Sequence, residues 1–224
     1  MIRLFIDAPL IEGEELTLPK EEAHHFKVLR IRPNETIPIV NGKGQLAQAI
    51  VLDRERLLIR EVISTPPPPY QSVIIQGLTE STHLDFLIEK GCELGVTHFI
   101  LFTAKKSKKT SLSENKSTRL HKILISALKQ SHRLYLPQIA VFPSLQEINP
   151  LPKRLFLADP QGERLTGLPP EDCGILIGPE SGLTKEELTY IESKLHAKKL
   201  SLGENILRTE TASMISAFLL SQRC

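Results

Sequence analysis

Two short segments in the C-terminal half carry the residue types that could bind a polar ligand and act on it. The first, LGENILRTETA at residues 202–212, places a glycine, an arginine and a glutamate at the entry of an apolar C-terminal stretch. Glycine lets the backbone approach a ligand, and the first N–H groups of a helix have no partner within it. Such a loop can bind a polar ligand through its main-chain atoms. The pattern also fits an ordinary strand-to-helix connection in which Thr209 or a neighbour caps the helix.

The second segment, GPESGLTKEE at residues 178–187, follows a short apolar run, GILI, that is typical of a buried strand. In open α/β sheets, ligands bind at the carboxyl ends of the strands. Thr184 and Glu187 have the spacing of a capping box, which predicts that a helix begins there. A cap does not require the Gly-Pro-acid-x-Gly turn before it, so we expect that turn to line a ligand cleft.

Basic residues are concentrated between residues 103 and 133, where nine lysines and arginines are opposed by Glu114 alone. Such a concentration is the footprint expected of a surface that binds a polyanion. Part of it falls on a predicted helix, and a solvated basic helix explains that part equally well. The preceding KKSKK run favours nucleic acid.

The composition indicates a folded enzyme without membrane or metal chemistry. The chain has 224 residues, 41% of them hydrophobic, which suffices for a sizeable core. No apolar run reaches the roughly eighteen residues of a membrane span, and the N-terminus reads as a first strand rather than a signal peptide. Three widely spaced cysteines and scattered histidines predict reduced thiols and no metal site. We therefore expect a cytoplasmic protein with no membrane partner.

The TPPPP run at residues 65–69 predicts a linker, because four successive prolines fit neither a helix nor a central strand. We expect one domain at residues 1–66 and another at residues 70–224. Short β-rich runs upstream (IRLFI, ETIPIV, QLAQAIVL and RLLIREVI), with one helical patch, EEAHHFKVLR, predict a small β-barrel.

Strands and helices alternate downstream of the linker, which predicts an α/β domain with a mainly parallel sheet. The predicted strands are VIIQGL, HFILF, RLFLA, GILIG and KKLSL, and the predicted helices span residues 84–94, 116–133, 185–195 and 209–222. The last helix is too apolar for the surface of a monomer, so it belongs either to the core or to a dimer interface.

Five motifs in order, spanning nearly the whole chain, resemble the RsmE family of 16S rRNA (uracil-N3) methyltransferases, S-adenosylmethionine-dependent enzymes of the SPOUT class. The motifs are HHFKVLR, EKGCELGV, QSHRLYLP, GPESGLT and LGENILRTETA. The resemblance implies an N-terminal PUA-like β-barrel followed by a SPOUT α/β domain with a C-terminal trefoil knot. It also implies a homodimer whose partner is 16S rRNA or the small ribosomal subunit.

The resemblance also implies which residues bind and act. The residues expected to bind S-adenosylmethionine are Leu157, Ala158, Asp159, Ile177, Gly178, Pro179, Glu180, Gly182, Leu202, Gly203, Asn205, Ile206 and Leu207. The basic run and the basic residues of the barrel supply those expected to bind RNA: Arg3, His25, Arg30, Arg32, Lys105, Lys106, Lys108, Lys109 and Arg133. Methylation at N3 of uracil requires loss of a proton and favours cationic stabilisation of the uracil oxygens. Arg208 is the candidate for that role, with Glu210 orienting it or the helix entry.

The chain departs from the family pattern at several positions. Ser181 stands where glycine is usual and Asn205 where arginine is usual; Lys129 and Glu80 also differ. These departures leave open a SPOUT methyltransferase that acts on another RNA, or a non-catalytic RNA-binding or ribosome-binding protein that retains the fold.

Overall fold

The computed structural model describes residues 3–19, 22–23, 26, 31–108, 111–165 and 167–222. The chain divides into two units. The first comprises Met1–Pro67 with Ile125–Leu136, and the second comprises Pro68–Leu124 with Pro137–Cys224. Most of the helical patch predicted near residue 25 lies outside the described residues.

The first unit contains a mixed five-stranded sheet in the order β1-β3-β4-β5-β2. Its strands are β1 (Leu4–Phe5), β2 (Glu15–Thr17), β3 (Thr36–Val40), β4 (Gln45–Val51) and β5 (Arg56–Ser64). Side chains alternate between the two faces of a strand, and the inward set, including Ile39, Ala49 and Leu57, forms one buried apolar cluster. The predicted β-rich character of this region is confirmed, although β2 was not predicted.

The second unit contains a six-stranded sheet in the order β11-β9-β10-β6-β7-β8, in which every pair is parallel. Its strands are β6 (Ser72–Gly77), β7 (His98–Phe102), β8 (Gln138–Phe142), β9 (Arg154–Glu163), β10 (Cys173–Ile177) and β11 (Lys198–Leu200). Every residue of β6 and β10 is buried, as expected of strands covered on both faces. The predicted parallel α/β sheet is therefore confirmed.

Four helices connect or follow these strands. They are α1 (Ser81–Glu93), α2 (Glu114–Gln130), α3 (Lys185–Ser193) and α4 (Thr209–Ser221), and a short 3-10 helix spans Leu145–Glu147. All four were predicted, with ends that differ by a few residues. The capping box at α3 is confirmed, because the Thr184 hydroxyl accepts from the Glu187 N–H and the Glu187 carboxylate accepts from the Thr184 N–H.

Two features of the sheet differ from the sequence prediction. Strand β8 was not predicted, and β9 extends five residues beyond the predicted RLFLA. Strand β8 pairs with β7 at the edge of the sheet, and its residues are exposed or half-buried, so its sequence lacks the pattern of a buried strand. The far part of β9 is also mostly exposed, and it pairs with β11 through a register shift.

The parallel arrangement decides where a site can form. The carboxyl ends of β6 and β10 lie beside the middle of β9, because Leu176 pairs with Leu157 while β9 continues to Glu163, so these segments meet at one edge of the sheet. Among the described residues, no helix is long and apolar enough to span a membrane. That part of the chain also contains no cluster of three or more histidines, cysteines or carboxylates that could hold a metal ion.

Candidate active site

A pocket of about 630 Å³ opens at this edge of the sheet. Five segments build it: the middle of β9 (residues 157–160), the loop after β10, the first turns of α1 and α4, and one residue of α3. The lining residues are His83, Leu157, Ala158, Asp159, Pro160, Gly178, Pro179, Glu180, Gly182, Leu183, Leu188, Leu207, Arg208, Thr209 and Glu210. The volume lies within the range of small-molecule and cofactor sites, and the lining combines apolar side chains with a few polar groups.

A tight turn at residues 179–182 forms one wall of the pocket. The Gly182 N–H donates to the Pro179 carbonyl at 2.9 Å, which leaves Glu180 and Ser181 at the two corners. Gly182 has a φ of 72°, a conformation that side-chain-bearing residues rarely adopt. The glycine predicted from the sequence is therefore required by the turn, of which Pro179, Glu180 and Gly182 line the pocket.

A buried polar network joins this wall to the start of α4. The Gln76 amide, fully buried at the end of β6, donates to the Gly178 carbonyl and to the Thr209 hydroxyl, both at 3.1 Å. The Thr209 hydroxyl donates to the same carbonyl at 2.8 Å, and Ser213 donates to the Gln76 side-chain oxygen at 2.6 Å. Every buried polar group of this set has a partner, so the network holds the helix entry against the sheet.

The alternative prediction, in which Thr209 caps helix α4, is wrong. Arg208 is the N-cap residue of α4, and its side chain makes no capping hydrogen bond. Thr209 lies one residue further along, and its hydroxyl is used by Gly178 and Gln76. The positive end of the α4 dipole therefore faces the pocket without a side-chain cap.

Two carboxylates and an imidazole meet on the rim of the pocket. The His83 Nδ1 lies 3.0 Å from Glu180 Oε1 and 3.9 Å from Glu210 Oε2. The hydrogen bond with Glu180 and the charge of Glu210 raise the pKa of His83 above its ordinary value, although partial desolvation opposes this. Burial disfavours the charged form of Glu180, but hydrogen bonds from His83 and from backbone N–H groups outweigh it and lower the pKa of this carboxyl.

Arg208 is the exposed cation of the pocket. Its guanidinium forms no hydrogen bond or ion pair with any residue that the structure describes, whereas Glu210 faces His83. Both residues line the pocket, so the structure brings the two predicted catalytic residues to one site. An arginine without a protein partner can bind developing negative charge on a substrate.

The structure brings most of the predicted cofactor-binding residues to the pocket. Those that line it are Leu157, Ala158, Asp159, Gly178, Pro179, Glu180, Gly182 and Leu207. Ile177 is buried inside β10, while Leu202, Gly203, Asn205 and Ile206 lie in the loop before α4 and do not line the pocket. Ile206 is 89% exposed. The loop therefore contributes to the pocket through Leu207 and Arg208.

The predicted RNA-binding residues have more varied positions. Lys105, Lys106 and Lys108 are exposed in the loop after β7, and Arg32 is exposed in the first unit. Arg133 is half-buried. Arg3 is buried and lies 3.2 Å from the His132 ring, so the structure does not place it on a surface that RNA could reach. His25, Arg30 and Lys109 lie outside the described residues.

Several residues of the site were not identified from the sequence. His83, Leu183, Leu188 and Thr209 line the pocket, and Gln76 supports it from below. A glutamine inside the apolar run VIIQGL was a usable signal, because a fully buried amide needs hydrogen-bond partners that an adjacent site can supply. His83 gave no comparable signal, since it is one of seven histidines scattered along the chain.

Two family models match the chain. One, described as an RNA methyltransferase domain, matches residues 66–221, and the other, described as an RNA methyltransferase PUA domain, matches residues 18–62. Together they bear out a PUA-like region followed by an α/β RNA methyltransferase domain.

Curated relatives are similar along nearly their whole length. Ribosomal RNA small subunit methyltransferase E of Bacillus subtilis is 29% identical over 247 residues, which covers 99% of this chain and 96% of that protein. The protein of the same name from Rickettsia conorii is 28% identical over 226 residues, which covers 95% and 91%.

A solved structure has the same fold. The crystal structure of ribosomal RNA small subunit methyltransferase E from Neisseria gonorrhoeae, bound to S-adenosyl methionine, matches with a TM-score of 0.85 and 27% identity. The match covers 97% of this chain and 95% of that chain. The chain therefore belongs to the RNA methyltransferase family, and its predicted resemblance to the RsmE enzymes is confirmed.

Proposed function

We propose that this protein transfers a methyl group from S-adenosylmethionine to N3 of a uridine in 16S rRNA. The observation that carries the proposal is the pocket at the carboxyl edge of the parallel sheet, where Arg208 and Glu210 meet the turn at residues 179–182. The similarity to an enzyme crystallised with S-adenosyl methionine supports the same cofactor here.

The pocket suits the cofactor in shape and charge. Leu157, Ala158, Leu188 and Leu207 offer an apolar slot for the adenine ring, and the backbone around residues 178–182 offers groups for its polar edges. Carboxylates on the rim complement a cationic ligand. When bound, S-adenosylmethionine supplies an electrophilic methyl group on a positively charged sulfur.

The residues of the chain then act on the uracil. Loss of the N3 proton leaves negative charge on the ring and its oxygens, and in this proposal Arg208, the N-cap residue of α4, stabilises that charge together with the N-terminus of the helix. Glu210, in the first turn of α4, orients the helix entry through its approach to His83. The assignment of Arg208 and Glu210 to these roles is part of the proposal.

The remaining features belong to the same proposal. Lys105, Lys106 and Lys108 bind RNA phosphates, aided by the PUA-like domain, whose boundaries we place at residues 1–66, with the methyltransferase domain at residues 70–224. The protein acts as a cytoplasmic homodimer without a metal, and its C-terminal part forms a trefoil knot. Three exposed apolar side chains support the dimer: Phe86 at 45%, Phe218 at 51% and Ile206 at 89% exposure.

The test is to map methylated nucleotides in ribosomal RNA from cells with and without this protein, and to repeat the reaction with purified protein and 16S rRNA. We expect one N3-methyluridine in 16S rRNA that depends on the protein. A modification confined to another RNA would indicate a different substrate, and the absence of any change together with no cofactor binding would indicate a non-catalytic RNA-binding protein.

A further inference from the structure

The turn at residues 179–182, called the pocket turn below, has two corners with different partners. Glu180 lines the pocket and accepts hydrogen bonds from the Glu80 N–H at 3.1 Å and from His83. Ser181 does not line the pocket, and its hydroxyl donates to the Lys106 carbonyl at 2.6 Å. One tight turn therefore contacts both the ligand pocket and a basic segment.

That segment, residues 104–108, is called the basic loop. The Ser107 N–H donates to the Ala104 carbonyl at 2.9 Å, which closes the loop into a turn and leaves Lys105, Lys106 and Lys108 exposed. Its lysines carry no ion pair within the part of the chain that the structure describes. The Lys106 ammonium donates to the Leu183 carbonyl at 3.5 Å, but no carboxylate forms an ion pair with these lysines in the described residues, so the loop can contact a polyanion.

The basic loop is fastened at a second point that does not involve the pocket turn. The Lys105 N–H donates to Glu187 Oε1 at 2.8 Å, while the other Glu187 oxygen accepts from the Thr184 N–H at 2.8 Å. Glu187 is only 1% exposed, so the capping box of α3 holds this point in place. The bond from Ser181 is different, because it connects the loop to a segment whose other corner faces the ligand.

We propose that Ser181 is a positioning residue that couples RNA binding at the basic loop to cofactor binding in the pocket. The inference rests on the proposed function. A ligand that holds the pocket turn in place also holds the Ser181 hydroxyl against Lys106, which keeps the basic loop in one arrangement. RNA bound to the loop favours the same turn conformation in return, because coupling between two binding sites is reciprocal.

The experiment measures the affinity for a 16S rRNA transcript with and without saturating S-adenosylhomocysteine, which fills the pocket but has no methyl group to transfer. In the native protein we expect RNA to bind roughly two- to tenfold more tightly when the pocket is filled, the scale of one net hydrogen bond. In Ser181→Ala we expect this ratio to fall to about one, with an unchanged melting temperature.

Two further variants distinguish coupling from a general loss of structure. Ser181→Thr keeps the hydroxyl and is expected to retain the native ratio. Ser193→Ala removes another exposed hydroxyl, which donates to the Thr189 carbonyl in α3, and is also expected to retain it. A native ratio of one, or a native-like ratio in Ser181→Ala, would overturn the inference while leaving the proposed function standing. A native protein that binds neither ligand would overturn both.

Discussion

Arg208 and His83 line the same pocket but differ in their surroundings. Among the described residues, nothing pairs with the Arg208 guanidinium, whereas His83 is held by Glu180 at 3.0 Å. A cation without a protein partner can bind a negatively charged substrate group. The pKa of a paired imidazole instead depends on the carboxylates around it. The two residues therefore call for different measurements.

For Arg208→Ala, we expect methyl transfer to slow by roughly a hundredfold or more, the scale of losing one electrostatic stabiliser of a developing anion. Cofactor affinity is expected to change little, because the guanidinium is directed to the uracil in our proposal. Single-turnover methylation of 16S rRNA measures the effect. Arg164→Ala, which removes an exposed arginine paired with Glu204 at 3.3 Å, is the control. A normal rate in Arg208→Ala would leave the arginine with a structural role only.

For His83, we expect an NMR titration to give a pKa above the ordinary value of 6.5, because Glu180 and Glu210 favour the protonated ring. The pKa is raised in the folded state, so the stabilisation from this contact is fully present below the ordinary pKa. It is lost as the pH rises through the raised pKa. Glu180→Gln should lower the pKa of His83 towards its ordinary value. An equal pKa in both proteins would show that Glu180 is not the cause.

At the scale of elements, the site depends on the middle of β9, the end of β10 and the entry of α4. Gln76 and Thr209 fasten the α4 entry to the Gly178 carbonyl, so the two predicted motifs meet through a buried network. The pocket has an apolar side, formed partly by β9, and a charged side, formed by the helix entries. Each side can be altered separately.

A bulky residue in the middle of β9 should block the cofactor. Ala158 is half-buried and lines the pocket, so Ala158→Phe would fill space that the ligand needs. We expect calorimetry to show S-adenosylmethionine binding weakened on the order of tenfold or more. Ala140→Phe makes the same change at an exposed position on β8 and should bind normally. Unchanged affinity in folded Ala158→Phe would place the cofactor elsewhere.

Charge neutralisation in the basic loop should weaken RNA binding and flatten its salt dependence. Changing Lys105, Lys106 and Lys108 to glutamine removes phosphate contacts, and each lost contact reduces the magnitude of the slope of log affinity against log salt by about 0.7 to 0.9. Cofactor affinity should hardly change. The control changes three other exposed lysines, Lys153, Lys194 and Lys198, and so has the same net charge. If both triple variants have the native slope, RNA binds at another surface.

At the scale of the whole molecule, helix α4 has two distinct sides. Its buried residues include Ala212, Ala217 and Leu220, and it packs against α1, β6 and β10. Phe218 is 51% exposed, so the apolar character of this helix is only partly explained by the core. A second copy of the chain would cover the rest.

The exposure of Phe218 makes Phe218→Asp a direct test of the dimer. In a monomer the change should lower the free energy of unfolding only slightly, because about half of the Phe218 side chain is already exposed to solvent. At a subunit contact the carboxylate would have to be desolvated, which costs at least about 2 kcal/mol. We expect sedimentation analysis to show a folded monomer without methylation activity. Val141→Asp, at a position 45% exposed on β8, is the control and should remain dimeric. A monomeric variant that still methylates RNA would contradict an obligate dimer.

Local features of this protein could be predicted from its sequence because they depend on neighbouring residues. The capping box of Thr184 and Glu187 is such a feature, and so is the need for glycine at residue 182. The four helices and most strands of the parallel sheet also followed from periodicity and from turn residues. The motifs identified the family, and with it the position of Arg208.

The tertiary structure decided which of these local features meet. The approach of His83 to Glu180, the use of Gln76 beneath the pocket and the bond from Ser181 to Lys106 each join residues more than seventy positions apart. Such contacts leave no periodic signal, because they depend on strand order and on how the connecting segments return to one edge of the sheet. The sequence of edge strand β8 lacks the apolar pattern of a buried strand for a related reason, because its side chains are exposed or half-buried and few neighbours require them to be apolar. The sequence alone therefore determined the elements and the family, whereas packing across the sheet determined the site.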